Sequence, residues 1–276
     1  MPALGLALVL PVVFAVASEQ QGDTATAATS DTNSGDDSNG AGPTVAEAKQ
    51  RLRQSLQAQR PGIEISSIRA TPVPDIFEVV SGGQIYYITG DAGFLFSGNL
   101  VDLRADRNLT EDRRSEMAHE VVQSLDRAEM VVFEPAQKPA KHHITVFTDT
   151  TCPYCQRLHR ELLSMVENHP VEVRYAMFPR AGPDSAAAET LRNIWCAEDS
   201  AQAMTRAKQG ESVADREQGC KTPLAEHMQA AGKIGVRGTP YLVLGDDGPV
   251  VPGYRPKDKL LSMLGIGDDQ SASAGQ

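Results

Sequence analysis

HITVFTDTTCPYC, the stretch at residues 143–155, is the most informative part of this chain. Its first half, His143 to Thr148, has the apolar and β-branched composition of a buried strand and runs directly into two cysteines. Apolar residues then recur at the spacing of one helix face, at Leu158, Leu162 and Val166. The pattern places Cys152 and Cys155 where a strand turns into a helix.

The segments downstream continue an alternation of strands and helices. Val171 to Phe178 has the pattern of a strand, and Ala186 to Met204 is largely helical. Tyr241 to Leu244 and Pro249 to Val251 are typical of a hairpin, and a last helix is expected around Lys257 to Leu264. The order β, α, β, helical insertion, β, β, α predicts an α/β domain over residues 141–267.

The spacing of the first two cysteines indicates redox chemistry. A thiol at a helix N-terminus faces unpaired backbone N–H groups and the positive end of the helix dipole, which favour the thiolate. In C-x-x-C motifs the pKa of the first cysteine commonly falls to about 3.5–7.5, so we expect Cys152 to be the nucleophile. Cys155 lies one helical turn further on, close but shielded, and is the expected resolving thiol.

A zinc site or a structural loop disulfide is the alternative interpretation of an isolated C-x-x-C. Zinc needs two further ligands, and neither Cys196 nor Cys220 belongs to a second C-x-x-C. Histidines such as His142 and His143, before a strand, are more often a polar entry to a domain. His159 is expected to be an exposed or helix-packing residue. We expect no metal, and no cofactor beyond the redox-active Cys152/Cys155 pair itself.

The second cysteine pair has its own explanation. Cys196 and Cys220 enclose 23 residues. In an oxidising compartment they could form a structural disulfide across the helical insertion, worth about 3–4 kcal/mol by chain entropy. Two buried free thiols are the alternative.

The segment at residues 44–106 has a different pattern and is expected to be a small separate domain. Thr44 and Glu47 form a capping-box pattern, and Val45, Ala48, Leu52 and Leu56 fall on one helical face that ends at Pro61-Gly62. Short β-type runs follow, at Ile76 to Val80, Gln84 to Thr89 and Phe94 to Phe96. A thin core with exposed sheet edges favours pairing with a second copy of the chain.

A linker helix and hinge are expected at residues 107–140. Met117, Val121 and Leu125 recur at helical spacing. Pro135 and Pro139 then break the pattern, which indicates the boundary of the C-terminal domain.

The chain ends are expected to carry no fold of their own. Residues 1–17 are the expected signal peptide. Their apolar run from Ala3 to Ala17 ends in Ala15-Val16-Ala17, a signal-peptidase pattern, so we expect cleavage after Ala17. An uncleaved anchor is the alternative, although the run is shorter than the roughly 20 residues needed to span a bilayer. Residues 18–43 have the composition of a disordered tether, and residues 268–276 that of a disordered tail.

Overall charge argues against nucleic acid as a partner. Lys and Arg number 26 against 36 Asp and Glu, for a formal charge of −10, and no basic cluster is dense enough to neutralise a run of phosphates.

These motifs together resemble a known family, the periplasmic disulfide isomerases of the DsbC and DsbG type. The resemblance covers about residues 44–267 and rests on the following segments: the stretch 143–149, the Cys152 to Cys155 motif, Phe178-Pro179-Arg180, Ile194-Trp195-Cys196-Ala197, Gly238-Thr239-Pro240, Val251-Pro252-Gly253-Tyr254 and, more loosely, Tyr86-Tyr87-Ile88-Thr89.

The resemblance implies a thioredoxin-like catalytic domain with a helical insertion, joined by a linker helix to a cystatin-like dimerisation domain. It implies a homodimer, a cis proline at Pro240 preceded by Thr239 that packs against the active-site cysteines, and a structural disulfide between Cys196 and Cys220. It also implies misoxidised exported proteins as substrates and a membrane thiol reductase as electron donor.

One dipeptide departs from the DsbC pattern. Pro153-Tyr154 stands where DsbC-type proteins usually have Gly-Tyr, and Pro-Tyr is found in the DsbG type. The expected function is therefore a periplasmic disulfide isomerase or reductase, with surrounding motifs closer to DsbC. A dithiol oxidase, a DsbG-like reductase of single oxidised cysteines and a chaperone-like binding module for unfolded chains are the alternatives.

Overall fold

The computed structural model describes residues 43–267 except 216 and 218. The expected signal peptide, nearly all of the tether and the C-terminal tail lie outside the described residues. None of the helices between these limits is long and apolar enough to cross a membrane.

The N-terminal part is one helix packed on an antiparallel meander. Its elements are α1 Val45–Gln59, β1 Ile65–Ala70, β2 Ile76–Ser81, β3 Gln84–Thr89 and β4 Leu95–Phe96, with the strands in the order β1-β2-β3-β4. The capping box of α1 is present, since the Glu47 N–H donates to Thr44 Oγ1 at 3.3 Å and the Thr44 N–H donates to Glu47 Oε2 at 2.8 Å. This confirms the predicted helix start and the predicted meander.

Leu52 and Leu56 anchor α1 to the meander. Both are buried, and they form one cluster with Phe77, Val79 and Ile88 of the central strands. Val45, on the same predicted face, remains 56% exposed, so the contact with the sheet begins one turn into the helix.

A five-stranded sheet flanked by helices forms the C-terminal part. A short hairpin of β5 Val101–Asp102 and β6 Arg107–Asn108 leads into α2 Leu109–Gln123, and the remaining elements follow in order: β7 Val131–Phe133, β8 His142–Thr148, α3 Pro153–Asn168, β9 Val171–Met177, α4 Ala186–Trp195, α5 Ser200–Lys208, α6 Leu224–Lys233, β10 Tyr241–Leu244, β11 Val250–Pro252 and α7 Lys257–Met263. The strand order is β11-β10-β8-β9-β7, with only β8 and β9 parallel among these described strands.

Strand β7 lies in the segment that the sequence assigned to the linker and hinge. Val131 to Phe133 pair with β9, so the sheet begins before residue 141. Pro135 and Pro139 lie in a loop between two strands of one sheet rather than between two domains. A strand of three residues is too short to show the alternation that would have indicated it.

Side chains on the two faces of β8 pack into two different hydrophobic cores. Ile144 and Val146 of β8 face a cluster built with α3, α5 and α7, whereas Phe147 faces a second cluster that includes Met117 and Val122 of α2. Tyr87 of β3 joins that second cluster. The predicted linker helix is therefore packed on the catalytic sheet and shares its core with the N-terminal strands.

The helical insertion is closed by a disulfide. Cys196, at the C-terminus of α4, is bonded to Cys220, with α5 between them. A loop of this length is stabilised by about 3–4 kcal/mol through restriction of the unfolded chain.

A buried histidine joins α6 to the sheet. His227 is 1% exposed, and its Nδ1 accepts the Met177 N–H at 3.1 Å, while Nε2 has no hydrogen-bond partner among the described residues. Burial lowers the pKa of His227 to about 4. Protonation would abolish the acceptor and place a charge in the core.

We predict that stability falls with acidification partly through His227. Its folded pKa lies below its unfolded value near 6.5, so its contribution is complete above pH 6.5 and is lost as the pH falls toward 4. In His227→Asn, whose side-chain oxygen can still accept the Met177 N–H, the fall in unfolding free energy from pH 7.5 to 5 should be about 2 kcal/mol smaller. Urea denaturation across this pH range measures the difference. Parallel curves for the two proteins would contradict the assignment.

Candidate active site

Cys152 is the residue that immediately precedes the first turn of α3. It is the N-cap residue of that helix, with backbone dihedrals in the extended region, and in the dithiol its sulfur makes no capping hydrogen bond. Pro153 occupies the first helical position, where the missing N–H of proline removes no intrahelical hydrogen bond. The Cys152 sulfur therefore lies at the positive end of the α3 dipole.

The loop before β10 faces Cys152. Strands β8 and β10 are paired, with Tyr241 opposite Phe147, and this pairing brings Thr239 and Pro240 beside the cysteines. The Thr239–Pro240 peptide bond is cis, and Cys152 Sγ donates to the Thr239 carbonyl at 3.3 Å. The Thr239 hydroxyl is buried and has no hydrogen-bond partner among the described residues, so its proton is available to a Cys152 thiolate.

Hydrogen bonds outweigh burial in setting the acidity of Cys152. Burial raises its pKa, but the Thr239 hydroxyl and the N–H groups of Cys155 and Tyr154 favour the thiolate, and the resulting pKa lies below the ordinary value. The two backbone donors come after Pro153, so proline at that position does not remove them.

Cys155 has the opposite balance. Burial raises its pKa above the ordinary value, although the charge of Lys208 and hydrogen bonds from Asp149, Thr239 and Thr148 oppose that effect. Cys152 and Cys155 are both free thiols in the structure, and each is 2% exposed. Exposure does not distinguish the two thiols, but their electrostatic surroundings do.

Asp149 organises the turn between β8 and α3. Its carboxylate, 1% exposed, accepts hydrogen bonds from the Thr151 N–H and hydroxyl at 2.7 Å each. It also accepts from the Arg180 N–H at 2.9 Å and from Arg180 Nε at 3.2 Å. Burial raises the pKa of Asp149, but these hydrogen bonds together lower it by more. The pKa therefore lies below its ordinary value, and the carboxyl is ionised at neutral pH. In the sequence, Asp149 and Arg180 stand out only as parts of motifs, without an individual role.

Lys208 is the functional candidate that the sequence analysis missed. It is 2% exposed, and its Nζ donates to Thr148 Oγ1 at 2.6 Å and to the Asp149 carbonyl at 2.8 Å. Burial lowers the pKa of Lys208 to about 8. A lysine in the last turn of a helix is usually an exposed residue that favours the helix dipole, so its position in the sequence gave no indication of burial.

Aromatic side chains border the cysteines on the protein surface. Tyr154 is 62% exposed and lies beside Tyr254, with ring centroids 6.4 Å apart. The Arg157 guanidinium stacks over the Tyr254 ring at 4.5 Å, and the Tyr254 hydroxyl donates to Glu161. These contacts present an amphipathic surface next to the reactive pair.

The structure brings most of the predicted site residues into one place. Cys152, Pro153, Tyr154 and Cys155 lie at the start of α3, and Thr239 and Pro240 face them. Cys196 and Cys220 are bonded to each other in the insertion. Histidine 159 is a buried packing residue, which hydrogen-bonds the Tyr175 hydroxyl at 2.8 Å. Within the described ranges, no three His, Cys, Asp or Glu side chains are grouped as metal ligands would be.

Comparison with known families divides the chain into two matched segments. Residues 36–111 match the family described as the N-terminal domain of disulfide bond isomerase proteins, and residues 130–266 match a thioredoxin-like domain. These matches agree with the meander at the N-terminus and with the helix-flanked sheet that carries the cysteines.

Two relatives that are matched over most of their length give the same result. The chain is 35% identical over 217 residues to the thiol:disulfide interchange protein DsbC of Dickeya dadantii, covering 77% of this chain and 85% of that protein. It is 36% identical over 205 residues to DsbC of Escherichia coli, covering 74% and 82%. A crystal structure of a disulfide interchange protein from Neisseria gonorrhoeae is 28% identical, with a TM-score of 0.42 over 51% of this chain and 96% of that one.

Identity above 30% extends over more than four fifths of these relatives, and the cysteine pair lies in the matched thioredoxin-like domain. The chain therefore belongs to the DsbC family of thiol:disulfide interchange proteins and is a disulfide oxidoreductase of that family.

Proposed function

We propose that this chain is a homodimeric disulfide isomerase of the periplasm, in which Cys152 attacks the disulfides of misoxidised exported proteins and Cys155 resolves the product. The contrast between the two thiols carries the assignment of roles, because the pKa of Cys152 is lowered and that of Cys155 is raised. The dithiol itself is the redox centre, and the reaction needs no other cofactor.

The first step is the attack of the Cys152 thiolate on one sulfur of a substrate disulfide. A bond forms between Cys152 and that sulfur, the substrate S–S bond breaks, and the other substrate sulfur leaves as a thiolate. The Thr239 hydroxyl, which has no other partner among the described residues, stabilises Cys152 both before attack and when it later leaves.

The mixed disulfide then has two outcomes. If a second substrate thiolate attacks the substrate sulfur, Cys152 is released and the substrate is isomerised without net oxidation. If the Cys155 thiolate attacks Cys152, the substrate is released reduced and the enzyme is oxidised by two electrons. A membrane thiol reductase would return the enzyme to the dithiol, so that isomerisation can continue.

Two features support export and a substrate-handling dimer. The apolar run at residues 3–17 has the form of a signal peptide, and the N-terminal segment matches a family of disulfide isomerase domains. A reductase specific for single oxidised cysteines is the second candidate, favoured by Pro153. The local geometry is compatible with either, since the donors that lower the pKa of Cys152 come from Tyr154, Cys155 and Thr239.

Trapping of intermediates tests the roles of the two thiols. Cys155→Ser is expected to accumulate covalent adducts with proteins that contain scrambled disulfides, because no Cys155 thiol is present to cleave the mixed disulfide at Cys152. Cys152→Ser is the matched control and should accumulate none. Non-reducing gels after acid quenching measure both. Equal adduct yields from the two variants would contradict the assignment.

The redox state in cells separates isomerase from oxidase. Thiol trapping in the native host should find Cys152 and Cys155 reduced, and deletion of the membrane thiol reductase should shift them to the disulfide. The Cys196–Cys220 disulfide serves as an internal reference that stays oxidised in both strains. A pair that is oxidised in the wild-type host would favour a dithiol oxidase.

The outer edge of the N-terminal sheet is the proposed dimer contact. Strand β4 pairs with β3 on one side only, and Phe94, Leu95 and Phe96 are 67%, 57% and 52% exposed. An apolar edge strand is a template for pairing with a second chain.

A charge on that edge should therefore weaken the dimer. Leu95→Lys is expected to raise the dimer dissociation constant at least about tenfold, equivalent to 1.4 kcal/mol. Val73→Lys, which changes an apolar residue 42% exposed in the loop between β1 and β2, is the control and should have little effect. Light scattering over a concentration series measures both. A wild-type protein that is monomeric at micromolar concentration would exclude the dimer.

A further inference from the structure

A buried ammonium group lies beneath the cysteine pair without a carboxylate partner. Lys208 is 2% exposed, and its Nζ donates to one hydroxyl and one carbonyl, those of Thr148 and Asp149. No ion pair of Lys208 occurs among the residues that the structure describes. Lysine is almost never fully buried unless it is paired, so a counter-charge that forms during the reaction would account for its position.

The charged, titratable and aromatic groups that act on Lys208 come from both sides of the active-site turn. They are Cys152 just before α3, Cys155 and His159 on α3, Asp149 after β8, Tyr175 on β9 and Arg180 in the following loop. Asp149 is already committed to Thr151 and Arg180, and Tyr175 offers its ring, with Nζ 5.9 Å from the centroid. His159 has a pKa lowered to about 4 by burial and is neutral at physiological pH. The cysteine thiolates are therefore the anions still available to Lys208.

The Thr148 hydroxyl connects Lys208 to the resolving cysteine. Its oxygen accepts from Lys208 Nζ at 2.6 Å. A hydrogen bond from the same hydroxyl lowers the pKa of Cys155 and so favours its thiolate. Lys208 also makes the largest electrostatic contribution that favours the Cys155 thiolate. One hydroxyl thus contacts both partners.

We propose that Lys208 is a positioning residue for the resolving step, which acts through Thr148 to convert Cys155 into a thiolate when the mixed disulfide at Cys152 has to be cleaved. This inference rests on the function proposed above. It assigns to the helical insertion a part in the reaction as well as in the fold.

The resolving step consists of two coupled proton transfers followed by attack of the Cys155 thiolate on Cys152. Cys155 passes its proton to the Thr148 oxygen while Thr148 passes its own to the neutral amine of Lys208, which leaves a thiolate beside an ammonium. The thiolate attacks Cys152 Sγ, the Cys152–Cys155 bond forms, and the substrate sulfur leaves with its electron pair and is protonated by water. The proton on Lys208 returns to Cys155 when the disulfide is next reduced.

The acidity of Lys208 suits this exchange. Burial lowers its pKa to about 8, so the amine and the ammonium are both populated near neutral pH. An exposed lysine, with a pKa of about 10.4, would rarely be available to accept a proton under the same conditions.

Separate measurement of the two steps tests the proposal. Lys208→Met keeps an unbranched apolar stem and removes the amine. In single-turnover mixing with a small disulfide substrate, resolution at pH 7 is expected to slow about tenfold or more, and its pH profile should move to higher pH. Mixed-disulfide formation, measured in the Cys155→Ser background, should change less than about twofold. Lys233→Met, at the exposed C-terminus of α6, is the matched control and should leave both steps unchanged.

Titration of the Cys155 thiolate tests the proposal without a catalytic assay and with variants other than Lys208→Met. In the Cys152→Ser protein, thiolate absorbance reports Cys155, and Lys208→Met or Lys208→Gln should raise its midpoint by about one pH unit. Lys208→Arg, which remains charged, should keep the midpoint near or below that of the parent. An unchanged midpoint, or equal slowing of both catalytic steps, would overturn the proposal. In that case the Cys155→Ser protein would still trap covalent adducts. Failure of the role proposed for Lys208 is therefore distinguishable from failure of the proposed function.

Discussion

The carboxylate of Asp149 is the interaction on which the active site depends. It accepts donors from Thr151 and Arg180, and the carbonyl of the same residue accepts from Lys208. Asp149 thereby joins the end of β8, the start of α3, the loop after β9 and the end of α5. A buried carboxylate is tolerated only when such donors surround it, and removal of the carboxylate would leave those donors without the acceptor that orients them. The position of Cys152 at the helix N-terminus follows from this turn.

This turn also gives the two cysteine thiols different surroundings. Cys152 meets backbone N–H groups and the Thr239 hydroxyl, which together outweigh its burial, whereas at Cys155 burial dominates and raises the pKa. A nucleophile whose pKa is lowered and a resolving thiol whose pKa is raised are suited to an isomerase. In the proposed reaction, the raised pKa of Cys155 leaves time for a substrate thiol to attack the mixed disulfide, and Cys155 still limits how long an unproductive intermediate persists.

The sequence predicted the elements whose pattern is local. The capping box at Thr44, the buried strand before Cys152 and the hairpin at Tyr241 each depend on residues within one element, and the structure has them at or within a residue of the expected positions. Strand β7 was not predicted, because three residues paired to a distant strand leave no periodic signal. The burial of Lys208 was not predicted, because it arises from the packing of α5 over the end of β8, between residues 59 positions apart.

The contact between the two parts of the chain is set by a pair of glycines. Gly83, in the turn between β2 and β3, has φ of +71°, and a Cβ there would lie 2.2 Å from the backbone nitrogen of Gly235. Gly235, with φ of +66°, would in turn collide with Gly83 and with the side chain of Gln84, whose amide donates to the Gly235 carbonyl at 3.3 Å.

This backbone approach lies five residues before Pro240, on the loop that faces Cys152. Side chains at either glycine would separate the N-terminal meander from that loop and open the core shared through Tyr87 and Val243. The N-terminal part therefore bears on the site as well as on the proposed dimer contact, because it supports the segment that stabilises the Cys152 thiolate. Since packed interiors transmit small displacements, a change at the meander would reach the Thr239 carbonyl and hydroxyl, and through them the reactive sulfur.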